Sequence, residues 1–261
     1  MTYKHLLVSS DAGITTLTLN RPEKRNALAL DVMLELTQAL DDVARTDALG
    51  IILAASGAVF SAGHDFGDMA GATQVQAREL FEVCTHMMDA VQAMPQPVVA
   101  RVHAMATAAG CQLVATCDLA IAANTATFAI PGGKAGLFCH TPLVAVARNM
   151  GRKRALEMAL TGDPIDAATA AEWGLINYAV AADQLDAVTL ALIRRATRGS
   201  AMSKAVGKQT FYRQIDLPQV QAYAVATEFM AVGCLTPDGQ EGIRAFLEKR
   251  PANYTQRPVR S

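Results

Sequence analysis

Apolar positions along the chain follow two spacings, one typical of strands and one typical of helices. Short apolar runs predict five strands, over residues 6–8, 14–19, 50–54, 97–102 and 119–122. Apolar residues at helical spacing predict nine helices, over residues 30–43, 77–93, 110–116, 141–149, 153–160, 167–173, 184–197, 220–234 and 239–249. Strand, turn and helix follow one another repeatedly in the first half, which predicts a layered α/β core.

Helical spacing dominates after residue 137, and no linker or low-complexity segment divides the chain. Alanine-rich helices with few apolar residues for a core of their own need another surface to pack on. This surface would be the α/β core or a neighbouring subunit. We therefore predict a core over residues 1–195 and a helical region over residues 196–261.

Composition narrows the classes of protein that fit this pattern. Of 261 residues, 51% are hydrophobic and 18% are charged, which is enough for a sizeable core and argues against disorder. The net charge is −1 and no long basic run occurs, so neither nucleic acid nor an anionic membrane is an expected partner. The histidines are scattered without metal-ligand spacing, so we predict no metal site.

Cysteine usage and the start of the chain bear on location. The five cysteines form no CxxC pair, which is typical of reduced thiols. The start, Met1 to His5, leads into only a short apolar run, so no signal peptide is expected. No apolar stretch is long enough to span a bilayer. Together these features predict a cytoplasmic protein.

Two turns of small residues, each between an apolar strand and a helix, are the strongest functional signal. The first covers residues 59–66 (VFSAGHDF) and the second covers residues 106–112 (ATAAGCQ). Each turn would bring a backbone N–H to an open edge with little side-chain bulk around it. Two converging donors would form an oxyanion hole, and the second would lie at a helix N-terminus, where the dipole favours an anion. The pair of turns therefore predicts stabilisation of an enolate.

Several segments resemble, in the same order, those of the crotonase (enoyl-CoA hydratase/isomerase) superfamily. They are the entry motif at residues 19–28, the two turns, a block over residues 160–177, and the C-terminal helix at residues 241–250. The second turn, together with residues 136–139, looks most similar to the enoyl-CoA hydratase domain-containing protein 3 group.

This resemblance implies a crotonase fold, in which repeated ββα units form the core and the helical C-terminal region makes trimers or hexamers. It implies an acyl-CoA ligand, with coenzyme A as part of the substrate and no separate cofactor. The N–H groups of His64 and Ala109 would hold the thioester oxygen, with His64 contributing its backbone only. The residues expected near coenzyme A are Lys24, Arg25, Ala27, Ala62, Asp65, Phe246 and Lys249. Asp65 is also expected to brace its turn.

The chain departs from the superfamily at both acid–base positions. Members that hydrate use two glutamates, and these positions hold Gln112 and Gly132 here. An amide does not take up a proton at ordinary pH, and each lost acid–base group costs about 10²–10⁴ in rate. Ordinary hydratase activity is therefore in doubt. Gln112 is interpreted as a pocket-lining residue that could orient a water.

Relatives with other chemistry place a carboxylate further along the same loop. Halide-displacing and dienoyl-isomerising members use the position of His140, and naphthoate synthases use the position of Cys139. His140 is the candidate acid–base group, because histidine is the residue type whose charge changes near neutral pH, although it could instead cap the following helix. Two hypotheses stay open: an enolate-forming enzyme of lyase or isomerase type, and an acyl-CoA-binding protein without turnover.

Overall fold

The computed structural model of the protein describes residues 3–255 and 257. Nine strands occur in these residues: β1 (Leu6–Asp11), β2 (Ile14–Leu19), β3 (Gly50–Ala55), β4 (Val98–Val102), β5 (Ala106–Thr107), β6 (Leu119–Ala123), β7 (Thr127–Ala129), β8 (Ile165–Asp166) and β9 (Tyr178–Val180). Ten helices accompany them: α1 (Leu30–Ala44), α2 (Gln74–Ala93), α3 (Ala109–Thr116), α4 (His140–Asn149), α5 (Arg152–Thr161), α6 (Ala167–Trp173), α7 (Leu185–Ala196), α8 (Ala201–Gln214), α9 (Gln219–Leu235) and α10 (Pro237–Leu247).

Six strands form the main sheet in the order β1-β2-β3-β4-β6-β9. Only β1 and β2 pair antiparallel, while the remaining neighbours are parallel. The central strand β3 is buried along its whole length, as expected for a parallel strand covered on both faces. The larger apolar cluster includes buried residues of α1, α2 and α3. Helix α7 covers the other face, where a Cβ on Gly50 would lie only 2.7 Å from Cδ1 of Ile193.

A second, smaller sheet places the two turns beside each other. Its strand order is β5-β7-β8, with β5 and β7 parallel. Ser61 of the first turn forms an isolated parallel bridge with Ala106 at the start of β5. This bridge holds the segment after β3 next to the segment that enters α3.

The layered α/β core predicted from the pattern is confirmed, and the predicted strands and helices lie within a few residues of the observed ones. Helix α8 and the short strands β5, β7, β8 and β9 were not predicted. The short strands contain two or three residues each, too few for a visible alternation. Helix α2 begins three residues before its predicted start at residue 77, so that Gln74 and Gln76 lie in its first turn. This turn begins in a capping box between Thr73 and Gln76.

The proposed boundary near residue 195 falls at the end of α7, and the division into two regions stays a prediction. Helix α8 is joined to the core by a buried ion pair, since Lys208 Nζ lies 2.7 Å from Asp118 Oδ2. In contrast, α9 buries none of its residues in the single chain. Within the described residues, no helix has both the length and the apolar character needed to cross a membrane.

Candidate functional site

The two small-residue turns are in direct contact. The N–H of Thr107 donates to the carbonyl of Ser61 at 3.0 Å, and a Cβ on Gly63 would lie 3.1 Å from the backbone nitrogen of Ala109. Gly63 has φ +84°, a conformation that favours glycine. The absence of a side chain at this position therefore allows both the turn and the close approach of α3.

The N–H groups of His64 and Ala109 lie on these two adjoining turns. Neighbouring backbone groups are paired: Leu28 donates to the Gly63 carbonyl at 2.7 Å, and Ala62 donates to the Arg25 carbonyl at 3.0 Å. By contrast, neither the N–H of His64 nor that of Ala109 donates a hydrogen bond to any acceptor within residues 3–255 and 257. Ala109 is the first residue of α3, where N–H groups have no partner inside the helix. The two turns thus present two unpaired donors and a helix N-terminus.

Ala108 is held in a strained backbone conformation directly before α3. Its φ of 51° and ψ of −120° are unusual for a residue with a side chain. The N–H of Ala108 donates to the carbonyl of Ala129 at 2.9 Å, which ties the turn to the end of β7. Strain of this kind costs about 1–3 kcal/mol and persists where the surroundings enforce it. The sequence shows only an alanine here, so this feature was not predicted.

The partly buried side chain of His64 packs against α2. Its ring stands edge-on to the Phe81 ring, with 5.2 Å between the centroids. Burial lowers the pKa of His64 to about 4, although the nearby Asp68 opposes this shift. The imidazole is therefore neutral near pH 7, and Nε2 has no partner among the described residues. Sequence reasoning missed Phe81, whose spacing on α2 gives no functional signal.

Asp65 has structural contacts within the first turn. One carboxylate oxygen accepts from the N–H of Gly67 at 3.0 Å, and the other lies 3.3 Å from Nη1 of Arg21. The second contact ties the turn to the entry motif, and both Arg21 and Asp65 are partly buried. These contacts are those of a residue that braces the turn.

Gln112 lies one helical turn after Ala109, on the same face of α3. The residue is only 5% exposed, and its side-chain Oε1 has no hydrogen-bond partner among the described residues. A buried amide oxygen without a partner costs about 1–3 kcal/mol, so it favours a ligand or water that donates to it. The structure thus leaves acceptor capacity at the first of the two predicted acid–base positions.

Gly132, the second predicted acid–base position, is covered by the loop that follows it. A Cβ on Gly132 would overlap the carbonyl oxygen of Leu137 and lie 2.6 Å from Sγ of Cys139. The N–H of Gly132 donates to that sulfur at 3.2 Å, and the N–H of Leu137 donates to the Gly132 carbonyl at 2.9 Å. Burial raises the pKa of the Cys139 thiol, so this sulfur is a neutral packing group. Glycine is required here because the loop folds back over it.

His140 is exposed at the first position of α4. Its ring contacts that of Phe138, with 5.1 Å between the centroids. The backbone N–H of His140 donates to the Phe138 carbonyl at 2.9 Å. In the single chain, therefore, the imidazole faces solvent and does not line an enclosed pocket. Its assignment as an acid–base group stays a prediction.

The residues expected near coenzyme A lie in two places. The N–H of Ala62 donates to the Arg25 carbonyl, which places Ala62 beside the entry motif. Ala27 is buried in this motif, and the side chains of Lys24 and Arg25 are exposed. Phe246 is exposed near the end of α10, a helix that packs against α8 and α9. Lys249 follows shortly after the end of this helix. Among the described residues, no cluster of three or more potential metal ligands occurs.

The chain matches the enoyl-CoA hydratase/isomerase family model over residues 9–257. It belongs to the enoyl-CoA hydratase/isomerase family. Enoyl-CoA hydratase domain-containing protein 3 of Danio rerio is 43% identical, over 94% of this chain and 85% of that protein. The predicted resemblance to that group is thus confirmed.

Solved structures of relatives confirm the crotonase fold. A Mycobacterium smegmatis enoyl-CoA hydratase superposes with a TM-score of 0.93 at 44% identity, covering 97% of this chain and 99% of that one. Human enoyl-CoA hydratase domain-containing protein 3 gives a TM-score of 0.90 at 39% identity, covering 96% and 100% of the two chains.

The comparison contradicts the predicted cytoplasmic location. The Danio rerio, mouse and human relatives are all named as mitochondrial proteins. The prediction was wrong because it rested on the cysteine pattern and on the expectation of no signal peptide. Reduced thiols distinguish a protein from secreted ones, but they do not separate the cytoplasm from other reducing compartments.

Proposed function

We propose that this chain binds acyl-CoA thioesters and stabilises the enolate of the thioester in an oxyanion hole. The observation that carries the proposal is the pair of unpaired N–H donors, on His64 and Ala109, at two adjoining turns. Both donors are backbone groups fixed by neighbouring hydrogen bonds, so they are in place before charge develops on the thioester oxygen. The α3 N-terminus adds a favourable dipole at the same point.

The neutral ring of His64 supports this role of its backbone. A protonated imidazole would offer a competing charge, but burial against Phe81 keeps the ring uncharged at pH 7. The coenzyme would lie along the entry motif, near Lys24, Arg25, Ala27 and Ala62. Phe246 and Lys249 would contact it from this subunit or from a neighbouring one.

Proton transfer is the part of the chemistry in which this chain differs from hydrating relatives. Gln112 supplies an acceptor that can orient a water, and Gly132 supplies no side chain. His140 or a water near Gln112 would have to move any proton. The proposed activity is therefore an enolate reaction of isomerase or lyase type, with slow hydration. Binding without turnover is the second candidate, and the absence of both glutamates favours it.

We also propose a homotrimer or hexamer. Helix α9 buries none of its residues, although it carries several large apolar side chains. A helix that is apolar on an exposed face requires a partner surface.

Two measurements test the proposed function. Calorimetry should show that butyryl-CoA binds and that butyrate does not. Butyryl-CoA in deuterium oxide should then exchange its α-protons when the protein is added, because an enolate intermediate takes up a solvent proton. Binding without exchange selects the non-turnover hypothesis, and failure to bind butyryl-CoA contradicts both.

A matched pair of variants tests the second donor. Ala109→Pro removes the N–H at the first position of α3, which makes no bond inside the helix, whereas Ala109→Gly keeps it. Loss of one oxyanion donor should slow exchange by about 10²–10³ in the proline variant only. Equal rates in the two variants, each shown by calorimetry to bind butyryl-CoA, would remove Ala109 from the mechanism.

A further inference from the structure

The hydroxyl of Ser61 lies where the entry motif, the first turn and α3 meet. Ser61 is fully buried, and its Oγ donates to the carbonyl of Asn26 at 2.9 Å. The same oxygen accepts from the N–H of Gly63 at 3.2 Å. A Cβ on Gly110 would lie 2.8 Å from this oxygen, so the first turn of α3 packs directly against it. One side chain therefore contacts all three segments around the candidate site.

The bond to Gly63 fixes the backbone directly before the first donor. The N–H of His64 belongs to the peptide group that follows Gly63, and in a trans peptide this N–H points opposite to the Gly63 carbonyl. That carbonyl accepts from the N–H of Leu28 at 2.7 Å. Ser61 thus holds the nitrogen of Gly63 while Leu28 holds its carbonyl oxygen. These two bonds together set the direction of the His64 N–H.

Ser61 also contacts the residues on both sides of the second donor. Its carbonyl accepts from the N–H of Thr107 at 3.0 Å, two residues before Ala109. Gly110, which follows Ala109, is the residue that packs against the Ser61 side chain. The separation of the two donors therefore depends on the position of Ser61. A functional group must be held within about 0.5 Å of its productive position, so small shifts at this residue matter.

We propose that Ser61 is a positioning residue, whose hydroxyl sets the direction of the His64 N–H and its distance from the Ala109 N–H. This inference rests on the proposed oxyanion hole at these two donors. Because Ser61 is fully buried, its hydroxyl acts through the backbone and not on the thioester itself. Aligned donors stabilise the charged enolate more than the neutral thioester. Loss of the hydroxyl should therefore slow the reaction more than it weakens binding.

Ser61→Ala removes the hydroxyl and keeps the backbone of the turn. Calorimetry should show that this variant binds butyryl-CoA with an affinity close to that of the wild type. Exchange of the α-protons at saturating thioester should be slower by about tenfold or more, since small misplacements of reacting groups have large effects on rate. A lower rate with unchanged binding indicates an interaction made in the transition state.

The carbon resonance of the thioester carbonyl gives a readout that does not require turnover. In butyryl-CoA isotopically labelled at this carbon, hydrogen bonds to the carbonyl oxygen move the resonance downfield on binding. The downfield displacement should be smaller with Ser61→Ala than with the wild type. A role in stability alone would lower the free energy of unfolding and leave the displacement unchanged.

Two further variants support the comparison. Ser56→Ala is the matched control, because the Ser56 hydroxyl also makes a side-chain bond, to Oδ1 of Asn20 at 2.9 Å, but outside the two turns. It should keep the wild-type exchange rate and carbonyl resonance. Ser61→Cys keeps a weaker donor and acceptor at the same place, so its values should lie between those of Ser61→Ala and the wild type. This variant also serves if Ser61→Ala does not fold.

The outcomes separate this inference from the proposed function. Wild-type exchange rates and carbonyl displacements in both Ser61 variants would overturn the positioning role and leave the proposed function standing. If the wild type binds butyryl-CoA without exchange, the carbonyl displacement alone decides. If the wild type does not bind butyryl-CoA, or binds it without displacing the carbonyl resonance, the proposed oxyanion hole fails, and the role of Ser61 fails with it.

Discussion

The backbone around Gly132 shows what occupies the space that a side chain would fill at this position. The sequence revealed that the side chain is missing, but not what takes its place. Leu137 and Cys139 are only five and seven residues away along the chain, yet their packing over Gly132 depends on how the whole loop folds. Loop packing of this kind has no periodic signal, so the sequence could not predict it.

This packing predicts that Gly132→Ala is destabilising. The new Cβ would overlap the Leu137 carbonyl and crowd the Cys139 sulfur, and overpacking of this kind costs about 1–3 kcal/mol in the free energy of unfolding. Gly133→Ala is the matched control, since its Cβ would meet nothing closer than 3.5 Å. Denaturant unfolding of the two variants measures the difference in stability. Equal stabilities would show that the loop moves at little cost to make room for the new Cβ. A glutamate placed at residue 132 would meet the same obstruction.

The partly buried imidazole of His64 predicts a specific pH dependence of stability. Its pKa is about 4 in the folded protein against 6.5 for an unperturbed histidine, so the unfolded chain binds the proton more readily. Stability contributed by this residue is therefore present at pH 7 and is lost as the pH falls from about 6.5 towards 4. At pH 5 the loss is about 2 kcal/mol.

His64→Phe removes the titrating group and keeps an aromatic ring against Phe81. Its free energy of unfolding should therefore fall less than that of the wild type between pH 7.5 and pH 5, by about 2 kcal/mol. Chemical denaturation at both pH values measures this difference. Identical pH profiles for the two proteins would mean that the ring is solvated in the folded state.

At the scale of elements, sequence periodicity was informative where a helix has one apolar face. Helix α1 has such a face, and its predicted and observed bounds differ by a single residue. Helix α8 was missed because its apolar residues follow no single face, and only Ala205 and Thr210 are buried along it. Its position depends instead on a polar contact, which a hydrophobic pattern does not reveal.

That contact predicts the effect of Lys208→Met. The Lys208 ammonium, with a side chain only 9% exposed, pairs with Asp118 and donates to the carbonyls of Val91 and Gln96 at 3.0 Å each. Burial raises the pKa of Asp118, while the ammonium opposes this shift. Breaking a buried pair from one side leaves an uncompensated charge. Lys208→Met should therefore lower the free energy of unfolding by about 3–5 kcal/mol.

Lys204→Met, one helical turn earlier on α8, is the control and should change the free energy of unfolding by less than about 0.5 kcal/mol. Urea denaturation compares the two variants. A loss below about 1 kcal/mol for Lys208→Met would mean that water replaces the ammonium, and that α8 is only loosely joined to the core.

At the scale of the whole molecule, the predicted assembly is carried by α9. Its large apolar side chains are exposed in the single chain, including Val220, Tyr223, Met230, Val232 and Leu235. Exposed apolar area of this extent is unfavourable in water, and a second and third copy of the chain would cover it.

Met230→Glu should therefore weaken the assembly and give a smaller species in light scattering. Gln184→Glu adds the same charge at an exposed polar position and should keep the wild-type mass. A monomeric wild-type protein that stays soluble at high concentration would contradict the predicted trimer or hexamer. It would also require α9 to fold back on its own chain, since solvent alone does not stabilise a helix with this apolar surface.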